Sequence, residues 1–431
     1  VGIGTTTPLA KLHIRGSQDS SQLIIDANVI QSITHPLIRL RKSNGTKLLD
    51  INTDDSVDIF VGVGAGFAGS LAPNLGNVFM GVHSGSANMG EGNTAVGEQS
   101  LKYNTSGNAN VAVGSQAMAT NTEGFGNVAV GQYALFSNTT ANDNIGLGAN
   151  ALYSNTTGGS NTAIGDYASF YNQSGGFNIG IGDYALLAGT GGAFNVGIGH
   201  QALYRTTNSQ FNTALGYDAG STFDNGYNNV FLGANTDVNG DGYYNVIAIG
   251  QQTICTAPSQ VVIGNPATTS YRAYANWTNI SDGRFKRNIR NNVPGLDFIT
   301  KLHPVTYNLN ATDLETFLHP NTGHGTAVAA LSRGGEKASA AYTRALSEKE
   351  GQTITGFVAQ DVEAAARSIG YNFSGVQAPK NDKDVYTLSY ADFVVPLVKA
   401  VQEQQELITG MQRQIDQLKE QNRLLLEMIK K

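Results

Sequence analysis

A serine and a lysine five residues apart, Ser281 and Lys286, are the residues of this 431-residue chain best suited to covalent chemistry. A serine hydroxyl is a weak nucleophile until a base takes its proton, and a lysine is such a base only when burial lowers its pKa toward neutrality. Five positions turn a helix by about 140° and put two side chains on opposite faces of a strand, so regular structure keeps the pair apart. Gly283, inside Ser281-Asp282-Gly283-Arg284-Phe285-Lys286, is expected to supply the bend that joins them. On these residues alone, a plain Ser-Asp turn is the default reading.

Other polar constellations are weaker. Asp237-Val238-Asn239-Gly240-Asp241-Gly242 copies the first half of a calcium loop. Ala248 stands where the bidentate Glu belongs, so a turn is the default reading. His319 and His324 flank Pro320-Asn321-Thr322-Gly323 at a spacing metals use, but no Cys, Asp or Glu accompanies them, and a flexible loop is the better reading. His13 and His35 are too isolated to propose as ligands. Asp166, Asp183 and Asp218 scatter along the chain instead of pairing as glycoside hydrolysis requires. Neither a metal nor a cofactor is expected.

The stretch Ser281 to Ile289 matches the opening Ser-Asp-x-Arg-x-Lys-x-x-Ile, and related segments follow in order: Leu302 to Tyr307, Gly356 to Glu363, and Tyr390 through Glu403. Residues 281–431 thereby resemble the self-cleaving intramolecular chaperone domain at the C-terminus of phage endosialidase tailspikes, other tail fibres and myelin regulatory factor. The resemblance implies Ser281 as nucleophile, Lys286 as its base, and the Ile280-Ser281 peptide as the bond that breaks. A Gly/Ala/Ser-rich insert from about Ala311 to Gly351 departs from the family pattern and leaves the dyad intact.

Composition favours a fibre over an enzyme. Glycine is abundant at 52 residues, only 14% of residues are charged, and one cysteine, Cys255, excludes an intrachain disulfide framework. No apolar run approaches the ~18 residues of a membrane helix, so no membrane insertion is expected. From Val61 to Ser270 the only lysine or arginine side chains are Lys102 and Arg205, against ten carboxylates, which excludes nucleic acid as a partner.

Upstream of the dyad lies a repeat array. Asn93, Asn110, Asn127, Asn144, Asn161, Asn178, Asn195, Asn212 and Asn229 recur every seventeen residues, and the glycines from Gly97 to Gly233 keep the same step. A fixed short period with β-branched centres and a glycine turn describes a solenoid whose coils cannot fold singly. Twelve coils at ~4.8 Å each give a rod of roughly 55 to 60 Å. Val, Ile and Leu before each glycine are expected to fill the interior, and the asparagines to stack as a hydrogen-bonded ladder. Phe136, Tyr153, Phe170, Leu187 and Tyr204 share one repeat position and form a stripe, read as a core or subunit contact in preference to a sugar-stacking surface. The motif resembles the repeats of YadA-type trimeric adhesin heads, which implies a left-handed parallel β-roll.

Residues 1–60 read as a small β attachment module. Its strands are Leu23 to Asp26, Leu37 to Leu40 and Leu48 to Ile51, with a hairpin turn at Ser43-Asn44-Gly45, and its opening is similar to those of bacterial and phage surface fibres. The array takes 61–275 and the α+β chaperone domain 276–395, with a helix over Gln360 to Ile369 and a strand over Tyr386 to Tyr390. In 396–431, Leu397, Val401, Ile408, Met411, Ile415, Leu418, Leu425 and Ile429 alternate by four and three as a coiled-coil seam. Gln404 and Asn422 interrupt it, and Ile, Leu and a buried Asn would by themselves favour a dimer. Both resemblances are to trimeric proteins, so a homotrimer is expected. They imply an extracellular tail fibre or surface adhesin with a glycan or protein receptor. The competing reading is a glycan-binding or glycan-degrading tailspike that uses the array as a carbohydrate-binding stalk.

Overall fold

A computed structural model describes residues 2–3, 13–14, 37–52, 58–66, 76–275, 277–319 and 336–429. They fall into two compact units, Val1–Asp237 with Asp241–Gln251, and Val238–Gly240 with Gln252–Lys431.

In the first unit, Ile38–Arg41 pairs antiparallel with Lys47–Asn52 around the expected hairpin turn. Asn44 closes the turn: its side-chain oxygen accepts from the Thr46 backbone N–H at 3.1 Å and from its hydroxyl at 2.8 Å. Arg39 and Asp50 add a two-pronged ion pair across the strands at 2.8 and 3.1 Å. Lys47–Asn52 also pairs with Ile59–Val61, where the array begins. The run Leu23 to Asp26 lies outside the described residues, and so does His35.

The array is a parallel β-solenoid of about 12 turns over residues 59–263. Each regular coil gives one three-residue strand, and strands seventeen residues apart pair in register, as Val111, Val128 and Ile145 do. A strand alternates its side chains, so only the middle residue of three points inward. Ala112, Ala129 and Ala163 fill that row, with Ala134, Ala151 and Ala168 and a column of Leu101, Met118, Leu135 and Leu152 beside them, all fully buried. The residues before the glycines do not fill the interior as expected. They share the outer face of the strand with its first residue, and Leu215 is 51% exposed.

Turn geometry explains the rest of the coil. Left-handed backbone is taken by non-glycine residues after most strands of the array, with φ of 59° at Tyr133 and 51° at Leu135. Such a conformation costs roughly 1–2 kcal/mol, which burying the Leu135 side chain offsets by about 1.5–3 kcal/mol. The expected asparagine ladder is present. The Asn161 amide donates to Asn144 Oδ1 at 3.1 Å and to the Gly175 carbonyl at 2.8 Å, and its backbone N–H also donates to Asn144 Oδ1, at 2.9 Å. A second ladder runs beside it through Asn104, Asn121, Asn138, Asn155 and Asn172, with side-chain steps of 2.6 to 3.1 Å. Buried amides are tolerated because each satisfies the next.

The second unit contains an α+β region. Helix α1 (Leu296–Ile299) is followed by strand Val305–Tyr307, which pairs antiparallel with Ile354–Gly356. Helix α2 (Ala311–Leu318) and helix α3 (Glu336–Glu350) occupy the insert between those strands. Helix α4 (Ala359–Ser368) lies within one residue of the expected bounds. Thr387–Leu388 is the only strand part of the expected 386–390 run, because Tyr390–Phe393 turns as a 3-10 helix into helix α5 (Val394–Ile429). Phe298, Val362, Ala366, Phe373 and Phe393 form the core.

Helices α2 and α3 take the two ends of the insert, and the segment read as a flexible loop, Pro320-Asn321-Thr322-Gly323, lies outside the described residues. Asn310 Oδ1 caps α2 by accepting from the Asp313 backbone N–H at 3.0 Å, and the Glu350 carboxylate accepts from the Thr312 N–H at 2.8 Å. Tyr342 of α3 donates its hydroxyl to the buried Glu315 of α2 at 2.7 Å. Alanine, glutamate and lysine, which recur in α3, are strong helix formers. Helix α5 is held at its start, where α1 crosses so closely that a Cβ at Gly295 would lie 2.6 Å from the Ala400 nitrogen. Beyond Ala400 its apolar seam, including Val401, Ile408, Ile415 and Leu418, is exposed. Among the described residues, no helix is long and apolar enough to cross a membrane.

Candidate active site

Asp282 builds the turn that carries the dyad. Its Oδ1 accepts from the Arg284 backbone N–H at 2.9 Å, capping a 3-10 turn over Gly283–Phe285, and the Lys286 N–H closes that turn onto the Gly283 carbonyl at 3.2 Å. The Arg284 guanidinium returns to the Asp282 carboxylate at 2.6 Å and holds its carboxyl below the usual carboxylate range. The outcome is proximity: Lys286 Nζ lies 2.7 Å from Ser281 Oγ. Gly283 is not the reason. It lacks a positive φ, and a Cβ there would meet nothing within 4 Å, so Asp282 and the tight turn do what was expected of the glycine.

In the drawn hydrogen bond the lysine nitrogen donates to the serine oxygen. The reverse transfer, in which a neutral amine takes the hydroxyl proton, needs the same two atoms at the same distance. Ser281 and Lys286 are exposed within the single chain, and so are their apolar neighbours Ile280, at 94%, Phe285 and Ile289. The burial expected of Lys286 is therefore not supplied by the chain alone.

Downstream, the three motif segments converge on one another. The Phe357 N–H donates to the Tyr390 hydroxyl at 3.1 Å, the Phe357 ring packs on Phe393 at 5.3 Å, and Tyr307 pairs across to Ile354. Gly356 has no space for a side chain, because the Tyr390 hydroxyl occupies the position a Cβ would take.

Residues 281–371 match the family model described as chaperone of endosialidase. The match opens on Ser281 itself and takes in the dyad, α1, the insert helices and α4. Helix α5 lies beyond the matched span. No curated protein matches the chain.

The Asp237 carboxylate accepts from the Thr222 N–H at 3.0 Å, and that of Asp241 accepts from the Asp224 N–H at 3.1 Å. Asn239 is engaged elsewhere, donating to the Lys383 carbonyl at 2.7 Å. His319 Nδ1 lies 3.1 Å from Glu315 Oε1, while His324 falls outside the described residues. Among the described residues, no three His, Cys, Asp or Glu side chains form a group able to hold a metal.

Phe136, Tyr153 and Phe170 do align, stacking at 5.2 and 4.9 Å with nearly parallel rings. A second column, Phe177, Phe194 and Phe211, stacks at 5.0 Å per step and is more exposed. Its spacing of seventeen was the available signal. Within either column the ring faces meet each other, whereas sugar stacking uses ring faces.

Proposed function

We propose that the protein is a phage tail fibre, tailspike or related surface adhesin: a homotrimeric, left-handed β-roll shaft. Its C-terminal segment aligns three chains and then cuts itself from the array between Ile280 and Ser281. A receptor on a cell surface, glycan or protein, is the expected target of the shaft. The observation that carries the reading is the 2.7 Å approach of Lys286 Nζ to Ser281 Oγ at the first residue of the chaperone-of-endosialidase match.

The chemistry follows from connectivity. Ser281 Oγ attacks the adjoining Ile280 carbonyl carbon through a five-membered ring while neutral Lys286 takes the hydroxyl proton. The C–N bond then breaks, the proton passes to the departing Ser281 nitrogen, and the Ile280 acyl group rests on the serine oxygen as an ester. Water hydrolyses that ester, leaving an Ile280 carboxylate and a free Ser281 hydroxyl. Proximity of this kind is worth up to ~7–11 kcal/mol for well-oriented groups. Donors for the developing oxyanion and the burial of Lys286 must come from assembly, and the exposed Ile280, Phe285 and Ile289 offer an apolar surface for neighbouring copies to cover.

Trimerisation from the C-terminal end suits an array of near-identical coils, which are prone to slip in register. The exposed seam of α5 supports association, and scission after folding would trap the product kinetically. Denaturing mass measurement on freshly expressed protein tests the proposal: fragments 1–280 and 281–431 are expected, and an uncut chain under every assembly condition would overturn it.

A further inference from the structure

Residues from the two sides of the Ile280-Ser281 bond meet at a polar contact far from that bond. The Thr256 hydroxyl donates to the Asp384 carboxylate, 128 residues away in sequence. Gln260 Nε2 approaches the same carboxylate oxygen at 3.5 Å, and Asn381 Nδ2 donates to the Thr256 carbonyl at 3.0 Å. Lys383 and Asn239 exchange two more bonds: Asn239 Nδ2 donates to the Lys383 carbonyl at 2.7 Å, and Lys383 Nζ donates to the Asn239 carbonyl at 3.1 Å. Asp384 is buried and also accepts from the N–H groups of Lys380 at 3.0 Å and Val385 at 2.9 Å. Burial alone pushes its carboxyl up. The hydrogen bonds from Thr256, Lys380, Val385 and Gln260 outweigh that and hold it below the usual range, so the acceptor is charged at neutral pH.

An apolar contact also crosses the cut. Ala267 packs against Ala311, Tyr342 and Leu346, so the insert helices α2 and α3 grip the chain on the N-terminal side of Ile280. The Tyr271 hydroxyl donates to the Ile263 carbonyl and folds the start of the linker back. From there to Ile280 the described residues are exposed.

We infer that these contacts form a clasp that keeps the C-terminal piece attached to the last coil after the chain is cut, making scission and release separate events. The partner that this surface of residues 380–385 fits is the coil edge at Asn239 and Thr256–Gln260 of its own chain. None of the clasp bonds involves the linker, so breaking the linker removes none of them. Losing Thr256 would take a charge-assisted hydrogen bond from the buried Asp384 carboxylate and leave it the N–H groups of Lys380 and Val385, which makes stepwise peeling unfavourable. The insert gains a role that the dyad does not need: its two helices supply the apolar half of the grip.

The setting of this inference rests on the proposed self-cleavage, but its test does not. A recognition sequence for a site-specific protease is inserted between the exposed Tyr274 and Ala275 of the full chain carrying Ser281→Ala, and the chain is cut under native conditions. The two pieces should co-elute on gel filtration and separate only in denaturant. Asp384→Ala and, as a milder change, Thr256→Val should raise the rate of dissociation about tenfold or more. Asn239→Ala serves as a third variant should Asp384→Ala fail to fold. Separation of the unaltered pieces upon cutting, or equal dissociation in all folded variants, overturns the clasp. An uncut Ser281 chain would count against the cleavage proposal alone.

Discussion

Gly165 faces the backbone of Gly182 in the next coil so closely that a Cβ added to it would lie 2.6 Å from the Gly182 carbonyl carbon. Its φ of 127° is equally closed to other residues. Gly165→Val should therefore combine a clash with backbone strain, costing about 3 kcal/mol or more and lowering the melting temperature by roughly 6–12 °C. Thermal unfolding followed by circular dichroism reads this directly. An unchanged profile would mean that the coils can move apart.

The exposed seam of α5 calls for an interhelical partner. Ile415→Asp together with Leu418→Asp places charges where the seam would close, each costing several kcal/mol if buried. The helix start should survive, since Phe393 and Ala400 are buried against the α+β core. Light scattering should report three subunits for the unaltered protein and one for the double variant. A dimer mass for the unaltered protein would favour the pairing that Ile, Leu and Asn422 suggest by themselves.

Much of the array was legible because its signal is repetition, and in-register pairing turns a period of seventeen into neighbouring strands. Repetition alone does not say which side of a strand is inside. Valine and isoleucine before each glycine looked like core, yet alternation in a three-residue strand sends them out and gives the interior to Ala112 and Ala129. The second asparagine ladder carried the same spacing but stood apart from the strand motif. At the dyad, proximity of Ser281 and Lys286 was legible and its cause was not: the capping carboxylate of Asp282 does what Gly283 was expected to do. The helices at the two ends of the insert were not legible because alanine-rich sequence serves both linkers and helices, and the contact between Tyr342 and Glu315 that joins them is a tertiary one.

Acid should loosen the clasp at Asp384. Its carboxyl is held below the usual range in the folded protein, so the folded state binds this proton less readily than the unfolded one. The stabilisation is fully present above the ordinary carboxylate pKa of about 4 and is lost as pH falls through the lower folded value. Dissociation of the protease-cut complex should then be flat from pH 7 to 5 and accelerate below about pH 4, and Asp384→Asn should remove most of that acceleration. The same acid response in Asp384→Asn would assign it to other carboxylates.

The cut itself is the most exposed consequence of the dyad. With Ser281 intact, assembled protein should run in denaturant as pieces of residues 1–280 and 281–431. Ser281→Ala removes the attacking oxygen but leaves Asp282, the turn and every motif contact in place, so it should give one intact chain that still assembles. Lys286→Ala removes the base at 2.7 Å and should slow cleavage by a factor of about 10²–10⁴, the usual worth of general base catalysis. Because only a neutral amine can accept the hydroxyl proton, the rate should rise with pH in the unaltered chain. In Lys286→Ala that dependence should flatten. The α5 variants at Ile415 and Leu418 should block cleavage if neighbouring copies bury the dyad, which ties the chemistry to assembly through one measurement. Cleavage of the Ser281→Ala chain at the same bond would remove the nucleophile assignment and leave the junction as a protease-sensitive linker.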